Sequence, residues 1–126
     1  MFENCYCQLK LNSDEQEIVE ACLQALSIMP STYLNVLERL SEGESSGYEC
    51  AGINLESDSC EVDYLPQFKG VCFEYLDEFA VTSIEVANII LAESLLIIDF
   101  ADKYKDRCKA LITKGKNLIP PISKDA

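Results

Sequence analysis

The stretch Gly70-Val71-Cys72-Phe73-Glu74-Tyr75-Leu76-Asp77-Glu78-Phe79 carries the reading of the fold. Val71, Phe73 and Tyr75 recur at every second position, and Glu74 falls between them. An extended chain sends successive side chains to opposite faces. The spacing therefore predicts a strand over residues 71–79, with one apolar side and Glu74 on the other.

Two more strands are expected before it. Residues 48–55 form one and residues 60–65 the next, in which Cys60, Val62 and Tyr64 oppose Glu61 and Asp63. Ser57-Asp58-Ser59 and the run from Pro66 to Gly70 supply the turns. Connections this short favour an antiparallel meander. A further strand is expected over residues 5–11, where Cys5, Cys7, Leu9 and Leu11 alternate with Tyr6, Gln8 and Lys10.

Helices are expected on both sides of the meander. Ser13 with Gln16 makes a capping-box pattern, and Ile18, Cys22, Ala25, Leu26 and Met29 then share a helical face that ends near Pro30. A shorter helix over residues 32–40 carries Tyr33, Leu34, Leu37 and Leu40. Residues 41–47 (SEGESSG) read as a polar loop. Ser83 begins a long helix reaching to about Lys103, apolar almost all round and so expected to be the central helix lying on the sheet. A last helix over residues 105–114 turns Cys108, Leu111 and Ile112 inward, with Gly115 as its cap. The expectation is a single α+β domain over residues 1–126: helical over 13–40, strands over 48–79, helices over 83–115 and a frayed tail over 116–126. About four strands, mostly antiparallel, pack on the helices.

Composition narrows the function. The chain has 126 residues, 22 acids against 10 bases, and a net charge of −12. Nucleic acid is not an expected partner, because a phosphate backbone needs Lys and Arg to displace its counterions. An anionic membrane surface is not one either. The acids are also unevenly placed. Residues 41–80 hold ten of them (Glu42, Glu44, Glu49, Glu56, Asp58, Glu61, Asp63, Glu74, Asp77, Glu78) with Lys69 as the single base. Residues 101–126 hold seven bases and three acids. If the strands over 60–65 and 71–79 pair, Glu61, Asp63 and Glu74 crowd one sheet face. Like charges opposed across strands each cost about 0.2–1 kcal/mol. A cationic partner relieves such a face and is steered toward it. The alternative is a solvated face that only blocks edge pairing.

Catalytic chemistry has little to build on. There is no histidine, which removes the commonest general base and most zinc enzymes. The seven cysteines are odd in number and scattered, and Cys5-Tyr6-Cys7 is too tightly spaced for a zinc knuckle. Residues Met1 to Asn4 lack the basic and apolar regions of a secretory signal, so free thiols and a cytoplasmic location are expected. The five glycines lie apart, leaving no phosphate-binding loop. No cofactor and no metal site are expected. The remaining enzyme hypothesis needs an unusual pocket around Cys72 or Asp77.

The strand at Gly70-Val71-Cys72-Phe73-Glu74-Tyr75-Leu76-Asp77-Glu78, the apolar run Phe79 to Val81, the helix start Ser83-Ile84-Glu85 and the segment Lys103-Tyr104-Lys105-Asp106 resemble the C-terminal half of certain bacterial immunity proteins. These belong to contact-dependent growth inhibition systems, especially those with ribonuclease toxins. The resemblance covers about residues 70–112 and is a pattern of strand, turn and helix. It implies a cytoplasmic inhibitor that binds a cognate basic toxin domain and blocks its active site or substrate groove. No binding residue carries over by motif. The candidate contacts come from the acidic face alone: Glu56, Asp58, Glu61, Asp63, Glu74, Asp77 and Glu78, with Tyr64 and Tyr75 as aromatic anchors. The competing expectation is an acidic adaptor or regulatory module for another basic protein or peptide. Oligomeric state is left open.

Overall fold

The computed structural model describes residues 11–58 and 67–121. Helix α1 spans Ser13–Ser27 and α2 spans Pro30–Ser41. Four strands follow: β1 Ser46–Tyr48, β2 Ala51–Leu55, β3 Val71–Tyr75 and β4 Glu78–Thr82. Helix α3 spans Ile84–Ile97 and α4 spans Lys105–Lys114. The strands form one antiparallel sheet in chain order, β1-β2-β3-β4. The α+β expectation holds, with the sheet packed on helices.

The sheet is built of tight hairpins, which differs from the strands expected at 48–55 and 71–79. Each of those runs is broken by a two-residue turn, Glu49-Cys50 in the first and Leu76-Asp77 in the second. The strands expected over residues 60–65 and 5–11 lie outside the described residues, apart from Leu11, which is not in a strand. Register aligns Ile53, Phe73 and Ala80 in one row, and Leu55, Val71 and Thr82 in another. These rows face the core. Gly52, Asn54, Cys72, Glu74, Phe79 and Val81 occupy the opposite face.

Helix α1, and not the later helix, runs across the sheet. Its core side is Val19, Cys22, Leu23 and Leu26, rotated from the expected set so that Met29 is exposed. Its cap is Asn12, one residue earlier than expected. The Asn12 side chain accepts from the Glu15 N–H at 2.8 Å, and the Glu15 carboxylate accepts from the Asn12 N–H at 3.0 Å. Gln16 instead donates to the Leu11 carbonyl. A carboxylate also suits the positive end of a helix better than an amide does.

Helix α3 begins at Ser83, whose hydroxyl accepts from the Val86 N–H at 3.1 Å, but it stops at Ile97, short of the expected Lys103. Its buried face is Ala87, Asn88, Ile90, Leu91, Ser94 and Leu95. At about 3.6 residues per turn, a continued helix would carry Phe100 to the opposite side. Ile98 is extended instead, and Phe100 turns back into the core. Leu96 and Ile97 stay exposed, so the helix is covered on one side only. It lies against α2, where the buried Tyr33 and Ser94 hydroxyls share a hydrogen bond, and against α4. Helix α4 matches its expected bounds and ends at Gly115, although Ile112 is exposed.

The segment after α4 is not frayed where it is described. Leu118 and Ile119 are buried. The Asn88 side chain donates to the carbonyls of Lys116 (2.7 Å) and Ile119 (3.1 Å) and accepts from the Ile119 N–H (2.8 Å). One amide thus satisfies three backbone groups of a segment that has no regular ladder of its own.

Candidate functional site

The two hairpin turns sit side by side at one end of the sheet. In the β3–β4 turn both central residues are left-handed, Leu76 at φ 50° and Asp77 at φ 65°. A right-twisted two-stranded ribbon favours such a turn, and Asn-Gly is its usual filling. Leucine has no local side-chain compensation there. In the β1–β2 turn Glu49 is left-handed as well, at φ 54°. The Leu76 N–H donates to the Cys50 carbonyl at 3.0 Å and so joins the two turns.

The junction of α1 and α2 comes to the same end. Pro30 opens α2 and forces Met29 into an extended conformation, which leaves Ile28 and Met29 projecting between the helices. A hollow of about 340 Å³ separates this junction from the sheet, lined by Leu26, Ile28, Met29, Tyr48, Cys50 and Tyr75 among others. Tyr75 is half-buried and packs on the core.

Among the described residues of the two turns and the hollow, the charged ones are all acidic. Glu49, Asp77 and Glu78 are exposed. The described ion pairs lie elsewhere: Arg107 with Glu38, Arg39 with Glu44, and Lys105 with Asp102. Arg107 also reaches Asn35, and its hydrogen bond to Glu38 raises its pKa further. The bases of α4 are thus spent in part on α2 and on the 3₁₀ turn just before α4, and none of the described ion pairs reaches the hairpin turns.

The described members of the acidic set do not share one face, and the strand whose Glu61 and Asp63 were expected to face Glu74 lies outside the described residues. Glu56 stands at the far end of the sheet, where its carboxylate accepts from the Gly70 N–H at 2.8 Å and fastens the start of β3. Asp58 closes a short 3₁₀ turn beside it. Glu61, Asp63 and Tyr64 lie outside the described residues. Glu74 is on the outer face as expected, half-buried beside Gly52 with Asn54 Nδ2 at 3.4 Å. Among the described residues of the set, Asp77 and Glu78 come together, at the hairpin tip.

Sequence reasoning missed Ile28, Met29, Tyr48, Glu49 and Leu76. A signal existed for three of them. Leu76-Asp77-Glu78 breaks the alternation of the preceding strand, and the Ile28-Met29 pair stands directly before a helix-starting proline. No pattern marked the Glu49-Cys50 turn, which lacks Gly, Asn and Pro.

The buried thiols are held in their protonated form. Burial pushes Cys22 up to about 12 and Cys72 up to about 11, and burial also raises Cys108. A thiol so shifted is a poor nucleophile at neutral pH. Cys50 is exposed. Among the described residues no group of three or more potential ligands could hold a metal ion, and no helix is long and apolar enough to cross a membrane. Comparison with models of known protein families, with curated proteins and with solved structures finds no match.

Proposed function

We propose that this protein is an inhibitory binding protein of the immunity type, which docks a cognate basic toxin domain in the bacterial cytoplasm and covers its active site or substrate groove. A nuclease is the favoured toxin, since an enzyme that holds a phosphate backbone needs a cationic groove. The observation that carries this reading is the set of exposed carboxylates Glu49, Asp77 and Glu78, which no described ion pair neutralises, around exposed apolar side chains. Charge of one sign around an apolar centre suits a partner of opposite sign and raises its association rate. The resemblance of residues 70–112 to immunity proteins points the same way, and the absence of histidine from the chain favours binding over catalysis.

The test is co-expression with the product of the adjacent gene, followed by isolation of the complex and assay of the toxin's nuclease activity. The expected outcome is a stoichiometric complex with the activity suppressed, whose association slows about tenfold or more between roughly 50 mM and 500 mM salt. An association rate indifferent to salt would remove the electrostatic basis of the reading. A complex with a basic protein of no toxic activity would favour the adaptor alternative.

A further inference from the structure

We infer that the partner seats a basic segment carrying an apolar side chain on the hairpin-tip end of the sheet, and not on its flat outer face. This deepens the binding role proposed above and rests on it. Four large apolar side chains are exposed at this end: Ile28 (80 %), Met29 (51 %), Tyr48 (50 %) and Leu76 (60 %). They come from three separate parts of the chain: Ile28, Met29 and Tyr48 line the hollow between the α1–α2 junction and the turns, and Leu76 is tied to its Cys50 wall by a backbone hydrogen bond. A small folded protein rarely leaves apolar groups from several elements converging in water unless something covers them.

The chemistry of the rim selects the occupant. Glu49 lines the hollow, Asp77 and Glu78 directly follow the exposed Leu76 in the chain, and no described ion pair involves any of the three. Anionic headgroups and phosphate backbones are repelled by such a rim. A second copy of this chain would bring like charges face to face. A segment with Lys or Arg on either side of an apolar side chain satisfies both parts of the surface. The outer face offers less. Its Glu74 carboxylate already faces Asn54, and the glycines at 47 and 52 give it few side chains to anchor a partner.

The sequence of the turn separates this role from a structural one. Asparagine suits the left-handed position of Leu76 better than leucine does, so Leu76→Asn removes the apolar contact without loosening the hairpin. Two capped hexapeptides serve as probes, Lys-Arg-Leu-Phe-Arg-Lys and Lys-Arg-Ser-Ser-Arg-Lys, titrated at low salt into isotope-labelled full-length protein and followed by amide chemical shifts. The Leu-Phe peptide should shift the amides of Met29, Tyr48, Cys50 and Leu76. Leu76→Asn should weaken that peptide about tenfold, leave the Ser-Ser peptide unchanged and not lower the melting temperature. Shifts centred on Gly52 and Glu74, with Leu76→Asn neutral, would overturn the location while leaving a basic partner in place. Failure of either peptide to bind saturably would overturn the basic partner itself. Concentration-dependent broadening of the same amides without peptide would assign the surface to a second copy and overturn the inference.

Discussion

Leu76 and Cys50 are joined through their backbones, the N–H of the first donating to the carbonyl of the second at 3.0 Å across the two hairpin turns. The bond fixes the turns relative to each other while both expose their side chains. A left-handed leucine costs about 1–2 kcal/mol relative to the right-handed form, and asparagine recovers part of that. Leu76→Asn is expected to stabilise the protein by about 0.5–1 kcal/mol, seen as a melting temperature higher by about 2–4 °C. A lower melting temperature would mean that the leucine holds the turn together.

Gly70 and Gly115 are both left-handed, but their surroundings differ. A Cβ at Gly70 would lie 2.2 Å from the Thr82 carbonyl, whereas at Gly115 nothing stands within 4 Å. Gly70→Ala is therefore expected to lose more than about 3 kcal/mol by denaturant titration, because backbone must move, and Gly115→Ala about 1 kcal/mol from its φ alone. Equal losses would contradict the close approach of β3 and β4 at this point.

Asn88→Ala leaves the Ile119 N–H and the carbonyls of Lys116 and Ile119 without their partner. Unpaired buried groups cost about 1–3 kcal/mol each when no water reaches them. The variant should lose about 2–4 kcal/mol, and the Ile119 amide should lose its hydrogen-exchange protection first. Tyr33→Phe is expected to cost less, about 1 kcal/mol, since the Ser94 hydroxyl keeps the Leu91 carbonyl as a partner.

Burial raises the Cys22 and Cys72 thiols above their ordinary value of 9.0, to about 12 and about 11. The folded state thus holds protons that the unfolded chain releases first. Stability from this source is complete below pH 9 and falls as pH rises through 11 and 12, by up to about 1.4 kcal/mol per pH unit for each fully buried thiol. Cys72 contributes less, because its pKa rises less than that of Cys22. Alkaline unfolding monitored by circular dichroism should begin later in Cys22→Ser measured relative to its own stability at pH 7. At neutral pH, peptide mapping after a short thiol-labelling pulse should find Cys50 modified and Cys22 untouched.

Elements with strong local chemistry were legible in the sequence. Helix α4 appears between its expected bounds because Lys105 to Lys114 carries a clear apolar face and a glycine stop. The hairpins were not, since Glu49-Cys50 contains none of the residues that ordinarily announce a tight turn and Leu76-Asp77 holds a single one, Asp77, beside a leucine. Reading through them merged four strands into two and left the exposed tip invisible. The covering helix was misjudged for a related reason. Apolar content favoured the run after Ser83, but Leu96 and Ile97 face water while the more polar α1 supplies the side that meets the sheet. The charge asymmetry was legible as an amount, and its arrangement was not, because arrangement depended on where the turns fell.

The places held by Leu118 and Ile119 bear on synthesis. By the time Thr82 has been added, α1 and the described strands it covers have all been made. The far side of α2 waits for α3, and α3 waits for residues around thirty positions further on to meet Asn88. A nascent chain can therefore close its sheet early, while Ala87, Ile90 and Leu91 still lack neighbours. The bonds of Asn88 to Lys116 and Ile119 can close only after Ile119 has left the ribosomal exit tunnel.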